Sequence, residues 1–152
     1  LALAAALGVY TQIILGALVR HTGSSLACGS EVILCQGAAW PLGGPAQLVT
    51  LHRFAGLAVG VLVTAATLAA IRSGPLRARR AALAAPVMVS VQILLGAWTV
   101  WSLVAVPVVS LHLGVGVLLL ADSLVTFLLL GPQPAPRRAG QDRLPGLAHA
   151  AG

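Results

Sequence analysis

Charge is what this sequence has least of. Only 8% of its 152 residues are charged, against about 25% in an ordinary soluble domain. The acidic residues are three, Glu31, Asp122 and Asp142, and lysine is missing altogether, so every basic residue is arginine. So little charge cannot coat a water-facing globule, and a soluble domain is excluded. Cysteine is nearly as scarce. Cys28 and Cys35 stand alone in a Cys-x6-Cys spacing, which argues against a zinc site, where more ligands at shorter gaps are usual. It also argues against a Cys-x-x-Cys redox motif.

What remains is oil. The chain is 59% hydrophobic with a mean hydropathy of +0.99, and a spanning helix needs about 20 apolar residues. Four such stretches fit, at roughly 1–20, 48–72, 81–102 and 107–130. The expected fold is all-α: an integral membrane four-helix bundle forming one domain over 1–131, with a long loop at 21–47. The segment 132–152, rich in Pro, Gly and Arg, reads as a flexible tail, and His149 within it as a solvated residue. The first apolar stretch has no basic segment before it and runs into Arg20. It reads as a spanning helix rather than a cleavable signal.

The net charge of +6 does not point to nucleic acid, because the arginines cluster in links between helices. Arg72, Arg77, Arg79 and Arg80 flank the link between the second and third stretches, and Arg137, Arg138 and Arg143 lie in the tail. The positive-inside rule makes both regions cytoplasmic. Both termini are then inside, and the cysteine loop is outside, at the cell membrane of an organism whose outer face allows disulfides. The cysteine pair therefore reads as a disulfide, with two inert thiols as the alternative. Arg20 and Arg53 sit on the side where arginine is disfavoured and call for another explanation.

The chain also repeats itself. "QIILGA" at 12–17 returns as "QILLGA" at 92–97, and "VTLH" at 49–52 returns as "VSLH" at 109–112. A two-helix unit is duplicated, and the first copy carries the extra loop. Parallel repeats of this kind are related by an axis along the membrane normal.

His52 and His112 occupy the same place in their repeats. Each has a glycine four residues on, Gly56 and Gly116, and residues at i and i+4 share a helix face. An ionisable side chain inside a membrane span is a functional candidate by default. One imidazole from each of two helices, with a bare patch beside it, suits the two axial positions of a haem iron and the flat face of its macrocycle. The alternative is a pair of buried histidines that bond helices together. Zinc would want further ligands nearby. Arg53 follows His52 directly and, with Arg20, is placed to grip haem propionates by paired hydrogen bonds; the alternative for each is an interfacial arginine that snorkels to water.

Other polar residues carry weaker signals. Trp98 and Trp101 read as interface anchors, and Trp40 as a third anchor or as a cover over a site. Gln12 and Gln92 are candidates for hydrogen bonds across helices. "GLAVG" at 56–60 matches a packing seam. Asp122 lies about 15 Å beyond His112 at 1.5 Å per residue, so it belongs to a different level of the bundle.

The segment "GALVRHTGSSLACGSEVILCQG" at 16–37 resembles the first outer segment of haem A synthases. "LHRFAGLAVG" resembles that family's His-Arg helix start, and "QILLGAWTV" with "SLHLGVGVLLLADSL" resembles the helix pair that follows. The resemblance covers about residues 8–130. Family members usually have eight helices in two homologous halves, each supplying one pair of haem-ligand histidines, so this chain is similar to a half-length form.

The resemblance implies oxidation of a methyl group of haem O to the formyl group of haem A, with haem b as cofactor. His52 and His112 match one ligand pair, and Cys28 and Cys35 match the family's loop cysteines. Implied partners are haem O, membrane lipid, a homo-oligomer, and haem O synthase or terminal oxidase assembly factors. Where the family often has a glutamate three residues before the first histidine, this chain has Val49. Where the family loop often reads Asp-Trp-Pro-Leu, it has "EVIL", which leaves Glu31 as a candidate for proton transfer at the haem edge. A bis-histidine electron carrier without haem chemistry is the alternative function. A quinone-linked thiol oxidase is a third, disfavoured by the single cysteine pair.

Overall fold

The structure is a computed structural model that describes residues 1–131; the tail readings, His149 among them, lie outside the described residues. Five α-helices carry the fold: α1 Ala2–His21, α2 Gly44–Ser73, α3 Leu76–Ala82, α4 Ala84–Trp101 and α5 Val106–Leu130. Among the described residues there is no strand, only an isolated bridge between Cys35 and Ala38. Four helical stretches are long and apolar enough to cross a membrane: α1, α2, α3 with α4, and α5. The chain is a multi-pass membrane protein.

Local chemistry sets the helix ends. α2 begins at Gly44, a turn earlier than hydropathy alone places it, because Pro45 suits the first turn of a helix, where its fixed φ and missing N–H cost nothing. Pro107 opens α5 in the same way. The third span begins at Leu76 rather than 81, so Arg77, Arg79 and Arg80 stand on a short helix and not in a loop. The Arg79 Nε–H donates to the Gly74 carbonyl at 2.8 Å, which ties the tight α2–α3 link.

The helices form a ring in which α1 packs on α2 and α5, α4 packs on the same two, and α2 and α5 face each other across the diagonal with little direct contact. The outward faces are covered by large apolar side chains such as Leu7, Leu57, Leu94 and Leu118, each more than half exposed. A helix apolar on every side is at home in lipid.

Two buried clusters hold the bundle. One, in the half away from the cysteine loop, gathers Ala5, Val9, Val63, Ala66, Ala85 and Leu119. The other, under the loop, gathers Val19, Ala46 and Val49 around Cys28 and Cys35. Between them lies the level of His52 and His112, where the helix faces carry glycine, glutamine and histidine instead of packed aliphatics.

Candidate functional site

The duplicated unit brings the same four residue types together twice, but only in the first copy does the glutamine bond the histidine; His112 Nδ1 has no partner. In the first copy the Gln12 side chain of α1 crosses to α2, where its Nε2–H donates to the His52 carbonyl at 2.8 Å and lies 3.0 Å from His52 Nδ1. The imidazole rests on Gly16 of α1: a Cβ built there would stand 3.1 Å from His52 Cε1. In the second copy a Cβ on Gly96 of α4 would stand 3.4 Å from His112 Cε1. Gly56 and Gly116 complete the two clusters, and a Cβ on either would come within 2.8 Å of Gln12 Nε2 or Gln92 Nε2 respectively.

These distances correct one expectation. The patches beside His52 and His112 at Gly56 and Gly116 are not bare, because a glutamine amide packs against each. The glycines that face the imidazoles directly are Gly16 and Gly96, on the neighbouring helix. Sequence reasoning passed over this second pair, although the repeated "QIILGA" and "QILLGA" carry it: glutamine and glycine four residues apart share one helix face.

Both imidazoles are partly buried. Around them several buried polar atoms have no hydrogen-bond partner: Gln12 Oε1, Gln92 Oε1, His112 Nδ1 and Arg53 Nη2. Unpaired buried polar atoms are costly, and their concentration at one level marks it as a place built to receive something polar.

The loop closes over this level. A disulfide joins Cys28 to Cys35, and Arg53 Nη1 donates to the Leu34 carbonyl at 3.1 Å, pinning the loop to α2 one residue from His52. Trp40 leans on Phe54 with ring centroids 6.3 Å apart. Glu31 is exposed, and its Oε2 accepts from the Gly37 N–H at 3.1 Å, so its carboxylate is used inside its own loop. Arg20 is exposed near the end of α1, and Trp98 and Trp101 are exposed near the end of α4. Val49 is buried in the cluster under the loop. Among the described residues, no three His, Cys, Asp or Glu side chains come together in a metal-binding group.

Asp122 belongs elsewhere. With Thr67, Ser123 and Thr126 it lines a cavity of about 10 Å³ in the opposite half of the bundle, where Asp122 Oδ2 and Thr126 Oγ1 lack partners.

The model for cytochrome oxidase assembly proteins, COX15-CtaA, matches residues 1–124. The chain belongs to this haem A synthase family. Among curated proteins it is similar to two named "Protoheme IX farnesyltransferase", from two strains of Halobacterium salinarum. One is 36% identical over 124 residues, 80% of this chain and 27% of that protein. The other is 34% identical over 121 residues, 78% of this chain and 27% of that protein. The chain thus spans about a quarter of the length of the curated relatives it matches. No solved structure matches it.

The site's donors fit a haem. Two ring nitrogens from diagonal helices suit two axial positions, and Arg53 Nη2, buried and unpartnered, suits a carboxylate. Were His52 to hold a haem iron, Gln12 would be its second partner, and partners of that kind typically tune affinity roughly 10–100-fold. Gln12→Leu is therefore expected to weaken haem binding by about that factor while leaving the protein folded. Haem titration of the purified protein, with circular dichroism as the fold control, measures it.

Proposed function

We propose that the chain acts as a haem A synthase-type oxidoreductase, taking the methyl group of haem O to the formyl group of haem A. The net change from CH₃ to CHO takes its oxygen from water and releases four electrons and four protons to an external electron acceptor. The observation that carries this reading is the duplicated Gln-Gly-His-Gly cluster at one level of a bundle in this family. His52 and His112 are the proposed axial ligands, and a bound haem supplies the electron transfer that no side chain at the site offers.

The chain's own residues bind and orient. Gly16 and Gly96 let the imidazoles lie close to the neighbouring helices, and Gly56 and Gly116 admit the two glutamine amides, of which that of Gln12 steadies His52. With an amide N–H directed at Nδ1, the proton of a neutral His52 ring sits on Nε2. Ligation of iron through Nε2 would need the tautomer with its proton on Nδ1, and so a different contact between Gln12 and that nitrogen. Arg53 is placed to hold a propionate at the loop end. The disulfide-closed loop is then a cover that limits water at the haem edge, on the outer face of the membrane with both termini in the cytoplasm.

A second reading, a bis-histidine electron carrier, draws on one observation. Val49 is buried where the family often places a glutamate, so that carboxylate is missing beside His52. One experiment separates the two. The chain is expressed with a source of haem O, and the haems are extracted and separated. Hydroxylated or formyl haem is the expected product; bound haem that is never modified in an electron-accepting preparation would leave the carrier.

A further inference from the structure

One polar cluster stands outside the duplicated pattern. At the repeat offset, Asp122 corresponds to Leu62, Ser123 to Val63 and Thr126 to Ala66. The first copy is apolar at all three places, and Val63 and Ala66 pack in the buried core. The polar set therefore occurs once, and the paired histidine clusters do not account for it.

Asp122, Ser123 and Thr126 of α5 and Thr67 of α2 line one small cavity, walled otherwise by alanines and Val63. Its volume of about 10 Å³ is close to that of a single water-sized sphere. Thr67, Ser123 and Thr126 are only 5%, 6% and 5% exposed. Asp122 lies about 12 Å from the end of α5 at Leu130, at 1.5 Å per residue, so the site is well inside the span.

The polar atoms here have lone pairs to offer and few hydrogens. The Ser123 hydroxyl donates to the Leu119 carbonyl at 2.8 Å, and the Thr67 hydroxyl donates to the Ala82 carbonyl at 3.3 Å. Each of those oxygens has used its one hydrogen. Asp122 Oδ2 and Thr126 Oγ1 are buried without a hydrogen-bond partner, so they do not bond each other. A proton on Asp122 Oδ2 would find no acceptor within reach. Among the described residues that line the cavity, none is basic. A carboxylate in lipid needs a compensating charge. A water molecule brings hydrogens but no charge, whereas a small cation brings the charge and takes the lone pairs. Oxygen donors of this kind suit hard cations.

We propose that Asp122, Ser123 and Thr126 of α5, with Thr67 of α2, hold one sodium ion. A single carboxylate balances a single positive charge. Calcium takes 6–8 oxygen ligands, several of them commonly carboxylates, which this set does not supply. The ion joins α2 to α5, which otherwise make little direct contact. Through the bond from Thr67 to Ala82 it also reaches α3. The site is independent of the haem reading above.

The test reads stability and not activity. The full chain in lipid nanodiscs is melted in sodium chloride and in choline chloride at equal concentration. Choline is too large for a water-sized cavity, and it keeps chloride and ionic strength the same. Sodium is expected to raise the melting temperature by several degrees and to saturate, as a ligand of the folded state does. Asp122→Asn keeps the shape and removes the charge, and Thr126→Val keeps the shape and removes an oxygen. Both are expected to lose the sodium shift, while Thr126→Ser keeps it.

Equal melting of the unchanged chain in the two salts overturns the proposal and leaves a neutral carboxyl in the bundle. A sodium shift that survives both Asp122→Asn and Thr126→Val overturns it as well, because the ion then binds elsewhere. If Asp122→Asn does not fold, Thr126→Val against Thr126→Ser carries the same comparison. No haem is read in these measurements, so the haem site stands or falls separately.

Discussion

Alanine at His52 or at His112 is expected to cost more haem affinity than any other single change in the protein. Removal of an outer partner of a ligand costs roughly 10–100-fold, and removal of the ligand itself should exceed that. Both variants should show the loss, because each imidazole lies against a glycine of the neighbouring helix, although only His52 is also held by a glutamine amide. The expected spectrum is that of a haem with one axial nitrogen in place of two. Imidazole added to the solution should restore the two-nitrogen spectrum, since the alanine leaves a ring-sized space beside Gly16 or Gly96. A histidine that only bonds helices together gives a different result, with lower thermal stability, an unchanged haem spectrum and no response to imidazole. Measuring absorbance, melting temperature and imidazole rescue on the same preparations decides between the two roles.

Much of this site is legible in the sequence because a duplication prints it twice. The matched hexapeptides at 12–17 and 92–97 and the matched histidines identify the helix pairs, and the apolar runs set four spans. Hydropathy cannot see where a helix starts inside an apolar run. The Pro45 first turn and the helical arginine segment at 76–82 therefore came out a turn away from where composition placed them. Nor does one helix reveal what faces it on the next. Gly56 and Gly116 share a helix with the histidines and were easy to connect with them, whereas Gly16 and Gly96 meet the imidazoles only after α1 folds on α2 and α4 on α5. Glu31 accepts a hydrogen bond from a backbone N–H six residues along, a loop contact that no periodicity in the sequence announces.

Glycine at 16 gives the second large effect, and its sign can be argued from geometry. A Cβ there meets His52 Cε1 at 3.1 Å, closer than an ordinary van der Waals contact between carbons at about 3.5–4.0 Å. The imidazole is anchored on its other side by the Gln12 amide, so it cannot retreat without breaking that contact. Gly16→Val adds two methyl groups on top of the Cβ. Overpacking of this kind typically costs about 1–3 kcal/mol, and here the strain falls on the ligand ring, so loss of bound haem should approach that of His52→Ala. Gly16→Ala is the sharper measurement. Alanine in a helix interior is favoured over glycine by roughly 1 kcal/mol, so the helix itself is not weakened and reduced haem binding reports a displaced imidazole. Gly96→Ala, with its nearest approach to His112 Cε1 at 3.4 Å, is expected to lose less. Gly56→Ala reaches the same ring indirectly, by pushing the Gln12 amide from 2.8 Å. Combined with Gln12→Leu it should therefore cost little more than either change alone, because both remove the same support. Full additivity of that pair, or a Gly16→Ala variant that binds haem as tightly as the unchanged chain, would show that the glycines serve helix packing and not the histidine.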